Sequence, residues 1–131
     1  MVLVDTSVLI DYLRGVTNPQ TEKLQHIIDQ GIVFGITSLI YQEVLQGVKT
    51  EKEFKILKEY LGSQRFYYPA NEKESFASAA EIYFKCRKKG ITVSSSIDCL
   101  IVQIAIEKDL FLLHNDADYD RIRKVIKFKV F

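Results

Sequence analysis

Four carboxylates fall where secondary structure should begin or end: Asp5, Glu43, Asp98 and Asp116. Asp5 closes the short apolar run Val2-Leu3-Val4, and Asp116 follows Leu110-Phe111-Leu112-Leu113. Glu43 sits one turn into an apolar helical pattern, and Asp98 opens another. Acids on strand ends and helix first turns can converge on one edge of a sheet. Gathered there, they repel one another unless a cation neutralises them. Carboxylate oxygens without thiol or imidazole partners suit Mg²⁺ or Mn²⁺. An ion so held lowers the pKa of water and screens a phosphodiester, so the chemistry indicated is phosphate chemistry. Each acid alone has a plainer use. Asp5 can cap a helix, and Asp98 can favour a helix dipole. Glu43 can be a solvated helix residue, and Asp116, Asp118 and Asp120 a solvated helix start. The placement shared by the set favours the joint reading.

The elements that must position these acids are legible from punctuation. Val2 to Val4 is an all-apolar run, as in a strand covered on both faces. A helix over Ser7 to Arg14 follows and Gly15 stops it. Asn18-Pro19 opens a second helix, which Gly31 ends. Ile32 to Ile36 reads as a strand. Thr37 or Ser38 caps the helix that carries Glu43, and Thr50 with Glu53 opens a helix ending near Gly62. Arg65 to Tyr68 is a third strand, closed by Pro69. Asn71 and Glu74 read as a capping box for a long helix through Phe76, Tyr83 and Phe84 to Gly90. Ser94-Ser95-Ser96 caps the helix of Asp98. Leu110 to Leu113 is a fourth strand, and a short helix runs from about Tyr119 to Val125. Ile126 to Phe131 alternates apolar and charged residues, as an edge strand with lysines outward.

Strands alternating with helices imply an α/β fold, a parallel sheet with helices on both faces. In such sheets ligands bind beyond the carboxyl ends of the strands, at a topological switch point. If the first and fourth strands are neighbours, Asp5 and Asp116 meet there.

The 131-residue length suits one domain, residues 1–131. A hydrophobic fraction of 47% permits a packed core and argues against disorder. A net charge of +1 argues against a strongly basic nucleic-acid binder, though not against a locally basic groove. Cys86 and Cys99 match no zinc spacing and read as reduced thiols of a cytoplasmic protein. Asp5 interrupts the apolar start, so no signal peptide is read there. No apolar stretch approaches the roughly 20 residues of a membrane helix. No P-loop and no G-x-G-x-x-G is present. A receiver domain would want an acidic pair after the first strand and an aspartyl phosphatase a D-x-D, whereas this chain has Asp5-Thr6-Ser7.

Four segments carry a resemblance. They are Val4 to Asp11, Ser38 to Glu43, Ser96-Ile97-Asp98-Cys99-Leu100-Ile101, and Leu113-His114-Asn115-Asp116-Ala117-Asp118-Tyr119. In order and spacing the chain resembles the PIN domain, and within it the VapC-type toxin ribonucleases of toxin–antitoxin pairs, from about Val2 to Phe131. The resemblance implies a PIN-like three-layer sandwich around a parallel five-stranded sheet of order 3-2-1-4-5. It implies a Mg²⁺- or Mn²⁺-dependent endoribonuclease with Asp5, Glu43, Asp98 and Asp116 as the acidic cluster. Asp5 and Asp98 would be the most direct metal ligands, with Thr6 and Ser7 orienting them. Either Asp116 or Asp118 would be the fourth acid. A homodimer and a VapB-type antitoxin, whose tail covers the active-site groove, are also implied.

Arg14, Arg87 and Arg121 are candidates for holding the RNA backbone, and Tyr41 and Tyr119 for touching substrate or partner. His26 reads as a surface residue, and His114 keeps an option on substrate contact. Cleavage by activated water would leave a 5′-phosphate and a 3′-hydroxyl. Two competing readings stay open: a PIN-like binding module without catalysis, and an RNA-processing PIN nuclease outside a toxin–antitoxin system.

Overall fold

Val2–Val4 forms the central strand β1 of a computed structural model that describes residues Met1–Phe131. Two helices follow, α1 (Thr6–Leu13) and α2 (Pro19–Asp29), then β2 (Gly35–Ile36). Next come α3 (Ser38–Gln46), α4 (Glu51–Gly62) and β3 (Arg65–Phe66). The second half contains α5 (Glu74–Lys88), α6 (Ser96–Glu107), β4 (Phe111–Leu113), α7 (Ala117–Arg123) and β5 (Lys129–Val130). All pairings are parallel and the order is β3-β2-β1-β4-β5, as the resemblance implied.

Connectivity determines the layers. The chain moves outward from β1 through β2 to β3, then crosses to β4 and moves the other way to β5. Right-handed crossovers therefore put α1 to α4 on one face and α5 to α7 on the other. The helix contacts agree: α1 packs on α2 and α3, α3 on α4, α5 on α6, and α6 on α7. Adjacent strand residues point to opposite faces, and Leu3, Val4, Leu112 and Leu113 are all buried. Both faces are thus covered, which is why β1 and β4 are wholly apolar. No helix is long and apolar enough to cross a membrane.

The strand order reverses between β1 and β4, so the switch point lies there. Val4 is level with Leu113 in the register, and the Asp5 N–H donates to the Leu113 carbonyl at 2.9 Å. The residues leaving β1 and β4 therefore start side by side.

Several boundaries differ from the sequence reading. Ile32 and Val33 lie outside β2 and are 52% and 49% exposed. They belong to the end of α2, where Gly31 takes φ +67° and the Ile32 N–H returns to the Ile27 carbonyl. That closure turns the chain before it reaches the sheet. Gly35 is needed in β2 because the Tyr67 ring would meet any Cβ there at 2.4 Å. The second strand and the third have two residues each, so Tyr67 and Tyr68, expected in the third, also lie outside it. Leu110 likewise completes the end of α6, where its N–H donates to the Ala105 carbonyl. At α5, Asn71 accepts from the Glu74 N–H, but the Asn71 N–H donates in return to the Ser75 hydroxyl and not to Glu74. Helix α7 starts at Ala117, ahead of the expected Tyr119, because Asp116 is itself the cap and accepts the Asp118 N–H at 2.9 Å. Phe76 and Phe84 of α5 point outward and are about half exposed.

Candidate active site

Asp5 does two things at the end of β1. It caps α1 through Oδ2, which accepts the Ser7 N–H at 3.0 Å and the Ser7 hydroxyl at 2.7 Å. Its Oδ1 accepts the Tyr119 hydroxyl at 2.7 Å. Capping and membership of an acidic cluster are therefore one arrangement, and Asp5 is only 5% exposed. Ser7 also accepts the Asn115 N–H at 3.0 Å, so it ties the β1–α1 turn to the loop after β4. Asp11, one turn further along α1, accepts from the side chains of both Asn115 and Asn18.

Asp98 sits in the first turn of α6 and is half-buried. Its Oδ1 accepts the same Tyr119 hydroxyl at 3.3 Å. One carboxylate oxygen from each of Asp98, Asp116 and Asp118 lies within 4.8 Å of the other two. Burial pushes Asp98 up to about 7, and the charges of Asp5, Asp116 and Asp118 push the same way against the Tyr119 hydrogen bond. Glu43, on α3, is drawn in through Thr6, whose hydroxyl donates to Oε1 at 3.4 Å. Burial first, and then the charge of Asp5, raises Glu43 above the ordinary carboxylate range.

Asp116 and Asp118 are unlike one another. Asp118 is 3% exposed and both of its oxygens are engaged. Oδ2 accepts from the N–H and the hydroxyl of Ser94, and Oδ1 pairs with Arg121 at 2.6 Å. Burial works to raise Asp118, but the Ser94 bonds and Arg121 outweigh it and hold it below the usual range. Asp116 gives Oδ1 to the α7 cap, and its Oδ2 has no hydrogen-bond partner.

The three arginines have different fates. Arg121 is the cation on Asp118. Arg14 is at the far end of α1 from Asp5, beside an apolar groove of about 520 Å³ lined by Ile10, Leu13, Val44, Ile56 and Tyr60. Arg87 lies over the Tyr83 ring at 5.8 Å, in the last turn of α5. The structure thus brings Arg121 to the acids and leaves the other two elsewhere.

Two residues have roles that the sequence reading missed. Tyr119 is fully buried, so its ring cannot stack on a base, and it serves instead as the bridge between Asp5 and Asp98. His114 is buried against the Tyr119 ring with centroids 4.8 Å apart, and its Nδ1 accepts the Asp116 N–H. Its proton is therefore on Nε2, 3.8 Å from Asp120, and burial lowers its pKa despite Asp120, Asp5 and Asp116. It organises the loop and does not reach outward. Tyr41 packs edge-on to Phe66 and donates to the Lys58 carbonyl, which places it in the α3–α4–β3 packing. No periodicity rule finds Tyr119, since a buried aromatic on α7 satisfies the core pattern with or without its hydroxyl.

The donor set fits a hard divalent cation. It is all oxygen, it lies at the switch point, and mutual repulsion within it is the feature that such a cation relieves.

The PIN domain family model matches residues 2–125. The chain belongs to the PIN domain family. Among similar proteins are the VapC ribonuclease Mb1587 of Mycobacterium bovis and ribonuclease VapC11 of Mycobacterium tuberculosis. Each is 29% identical over 126 residues, covering 95% of this chain and 93% of the relative. Solved structures share the fold. VapBC2 of Rickettsia felis, bound to a promoter DNA fragment, gives a TM-score of 0.72 at 14% identity, covering 100% of this chain and 98% of that one. VapBC-1 of nontypeable Haemophilus influenzae gives 0.71 at 18% identity, covering 99% and 98%. The PIN fold thus accounts for the sheet order and for the convergence of strand ends at β1 and β4.

Proposed function

We propose that this protein is a divalent-metal-dependent endoribonuclease of the VapC type, the toxin of a toxin–antitoxin pair. The observation that carries the reading is the group of Asp98, Asp116 and Asp118 at the β1–β4 switch point, joined to Asp5 through the Tyr119 hydroxyl; its one internal cation, Arg121, is already taken by Asp118. Asp5, Asp98 and Asp116 would hold Mg²⁺ or Mn²⁺, with Glu43 a further acid on the α3 side. When bound, the ion supplies Lewis acidity for phosphodiester hydrolysis. The rest of the work belongs to the chain. Ser7 and Tyr119 fix the two oxygens of Asp5, and Thr6 orients Glu43. Asp116 keeps Oδ2 free of the helix cap and has no counter-charge, whereas Asp118 is paired with Arg121, which supports Asp116 over Asp118 as the fourth acid. Asp118 holds Arg121 at the rim, where the half-exposed guanidinium is placed to meet a phosphate.

The names of the relatives support RNA as substrate, and the VapBC neighbours support a VapB-type antitoxin as partner. The test is to map cleavage of total RNA with Asp5→Asn as the control. The expected result is cuts that need Mg²⁺ or Mn²⁺, leave a 5′-phosphate and a 3′-hydroxyl, and vanish in the variant. Fragments ending in a cyclic phosphate, or full activity in Asp5→Asn, would overturn the assignment.

A further inference from the structure

Tyr119 has a hydroxyl that packing does not require. Its ring is fully buried on α7 against His114, and a phenylalanine ring would fill the same volume. A buried phenol still needs a hydrogen-bond partner, since an unpaired buried hydroxyl has lost its water and gained nothing in return. It has two, both carboxylates: Asp5 Oδ1 at 2.7 Å and Asp98 Oδ1 at 3.3 Å. These belong to elements far apart in the chain, the end of β1 and the first turn of α6.

We infer that Tyr119 is a positioning residue, whose neutral hydroxyl holds Asp5 and Asp98 in one mutual orientation so that both meet a single divalent cation. The inference rests on the metal-dependent reading above and adds a residue to it. Ser7 places both its donors on Asp5 Oδ2, so Tyr119 alone fixes Oδ1 and with it the rotation of the carboxylate plane. For Asp98 the dependence is greater, because the Tyr119 hydroxyl is the one hydrogen-bond donor it has. A neutral donor between two anions suits this task. It steadies them without adding a fixed charge that competes with the cation. A phenol has one proton, so the two carboxylates share it in a bifurcated hydrogen bond, with the stronger branch to Asp5 at 2.7 Å and the weaker to Asp98 at 3.3 Å. Asp98 is then the looser of the two acids and the more sensitive to losing the bridge. Partners that orient metal-ligating side chains in this way typically contribute about 10–100-fold to metal affinity.

The experiment is Mn²⁺ titration by calorimetry on the full chain as wild type, Tyr119→Phe and Asp98→Asn, with thermal melts alongside. We expect the wild type to bind, Tyr119→Phe to bind about tenfold more weakly, and Asp98→Asn to lose binding. In RNA cleavage, Tyr119→Phe should need about tenfold more Mn²⁺ for half its maximal rate, with KM for RNA unmoved. Raising Mn²⁺ should recover the lost rate, which a purely structural defect would not allow. Wild-type Mn²⁺ affinity in Tyr119→Phe overturns the inference and leaves the metal-dependent reading standing. A wild type that binds no Mn²⁺ removes both. A crystal structure of the Mn²⁺-loaded wild type needs no variant and serves even if Tyr119→Phe does not fold. Asp5 and Asp98 on one ion, with the Tyr119 hydroxyl still on either carboxylate, supports the role. A hydroxyl released from both overturns it.

Discussion

Asp98 and Asp118 have carboxylate oxygens within 4.8 Å of each other, yet their surroundings are opposite. Asp98 has one neutral hydroxyl for company and faces three other acids, and it is pushed up to about 7. Asp118 is the more buried of the two, yet it is held below the usual carboxylate range by Ser94 and Arg121. Burial is the largest cause at both and raises both; what turns Asp118 the other way is its supply of donors. Around Asp118 the fold provides its own counter-charge, from three residues along the same helix, and its own N–H from the loop before α6. Around Asp98 it provides almost none. An acidic cluster is therefore not a uniform pool of ligands. On the proposed reading, the part that the protein leaves uncompensated is the part that an external cation would complete.

The strongest way to break this contrast is to neutralise each acid in turn. Asp98→Asn should cut RNA cleavage by at least about a hundredfold, the scale of losing one electrostatic contact at a developing charge. Asp118→Asn should cut it by about tenfold or less and should show its main effect in a melt, costing about 1–3 kcal/mol through the weakened Ser94 and Arg121 contacts. Initial rates on a labelled RNA, with thermal unfolding of the same preparations, give both numbers. Equal losses of activity in the two variants would erase the distinction and return Asp118 to the metal site.

That distinction is the part of the site that the chain did not disclose when read linearly. Asp116 and Asp118 are two residues apart, and both look like acids at the start of a helix. What separates them is Ser94, 24 residues earlier, whose hydroxyl and N–H reach Asp118 across the α6–α7 contact. The Tyr119 bridge spans 114 residues to Asp5 and depends on an atom that hydrophobic patterning ignores. By contrast, the helix starts were legible because caps are local. Asn18, Thr37 and Thr50 each accept the N–H three residues on. The strands were overextended where apolar residues serve a helix end, as at Ile32, Val33 and Leu110. Sheet order came from resemblance to the PIN domain, since strands this short carry little information about their neighbours.

A gentler probe is pH. A carboxylate must be ionised to hold a metal, so protons and Mn²⁺ compete for Asp98. Apparent Mn²⁺ affinity should be level above pH 8 and should weaken by up to about tenfold per pH unit below about 7. Calorimetry between pH 6 and 8 tests this, and Asp118→Asn should keep the dependence but move it to lower pH, because the Asp118 charge is one of those that raise Asp98. An affinity flat across the same interval would mean that Asp98 is not the uncompensated acid.

The smallest effect isolates Asp98 without any metal. In the unfolded chain it titrates as an ordinary aspartate, while in the folded, metal-free protein it is raised to about 7. Between those values the folded state binds more protons than the unfolded one, so Asp98 lowers stability progressively as pH rises through that window. Asparagine cannot ionise and escapes the penalty. In a chelator, Asp98→Asn should therefore be more stable than wild type at pH 8, by about 1–2 kcal/mol once partial solvation of the group is allowed for. That corresponds to a Tm higher by about 5 °C. The gain should shrink on acidification and vanish below about pH 4, where wild-type Asp98 is neutral in both states. His114, whose lowered pKa makes the fold lose stability as pH falls below its ordinary range, is common to both proteins and cancels in the difference. Saturating Mn²⁺ should invert the ranking, since only the wild type would then gain from the ion. If Asp98→Asn is the less stable protein at pH 8 without metal, the repulsion at the switch point is already compensated and the contrast with Asp118 fails.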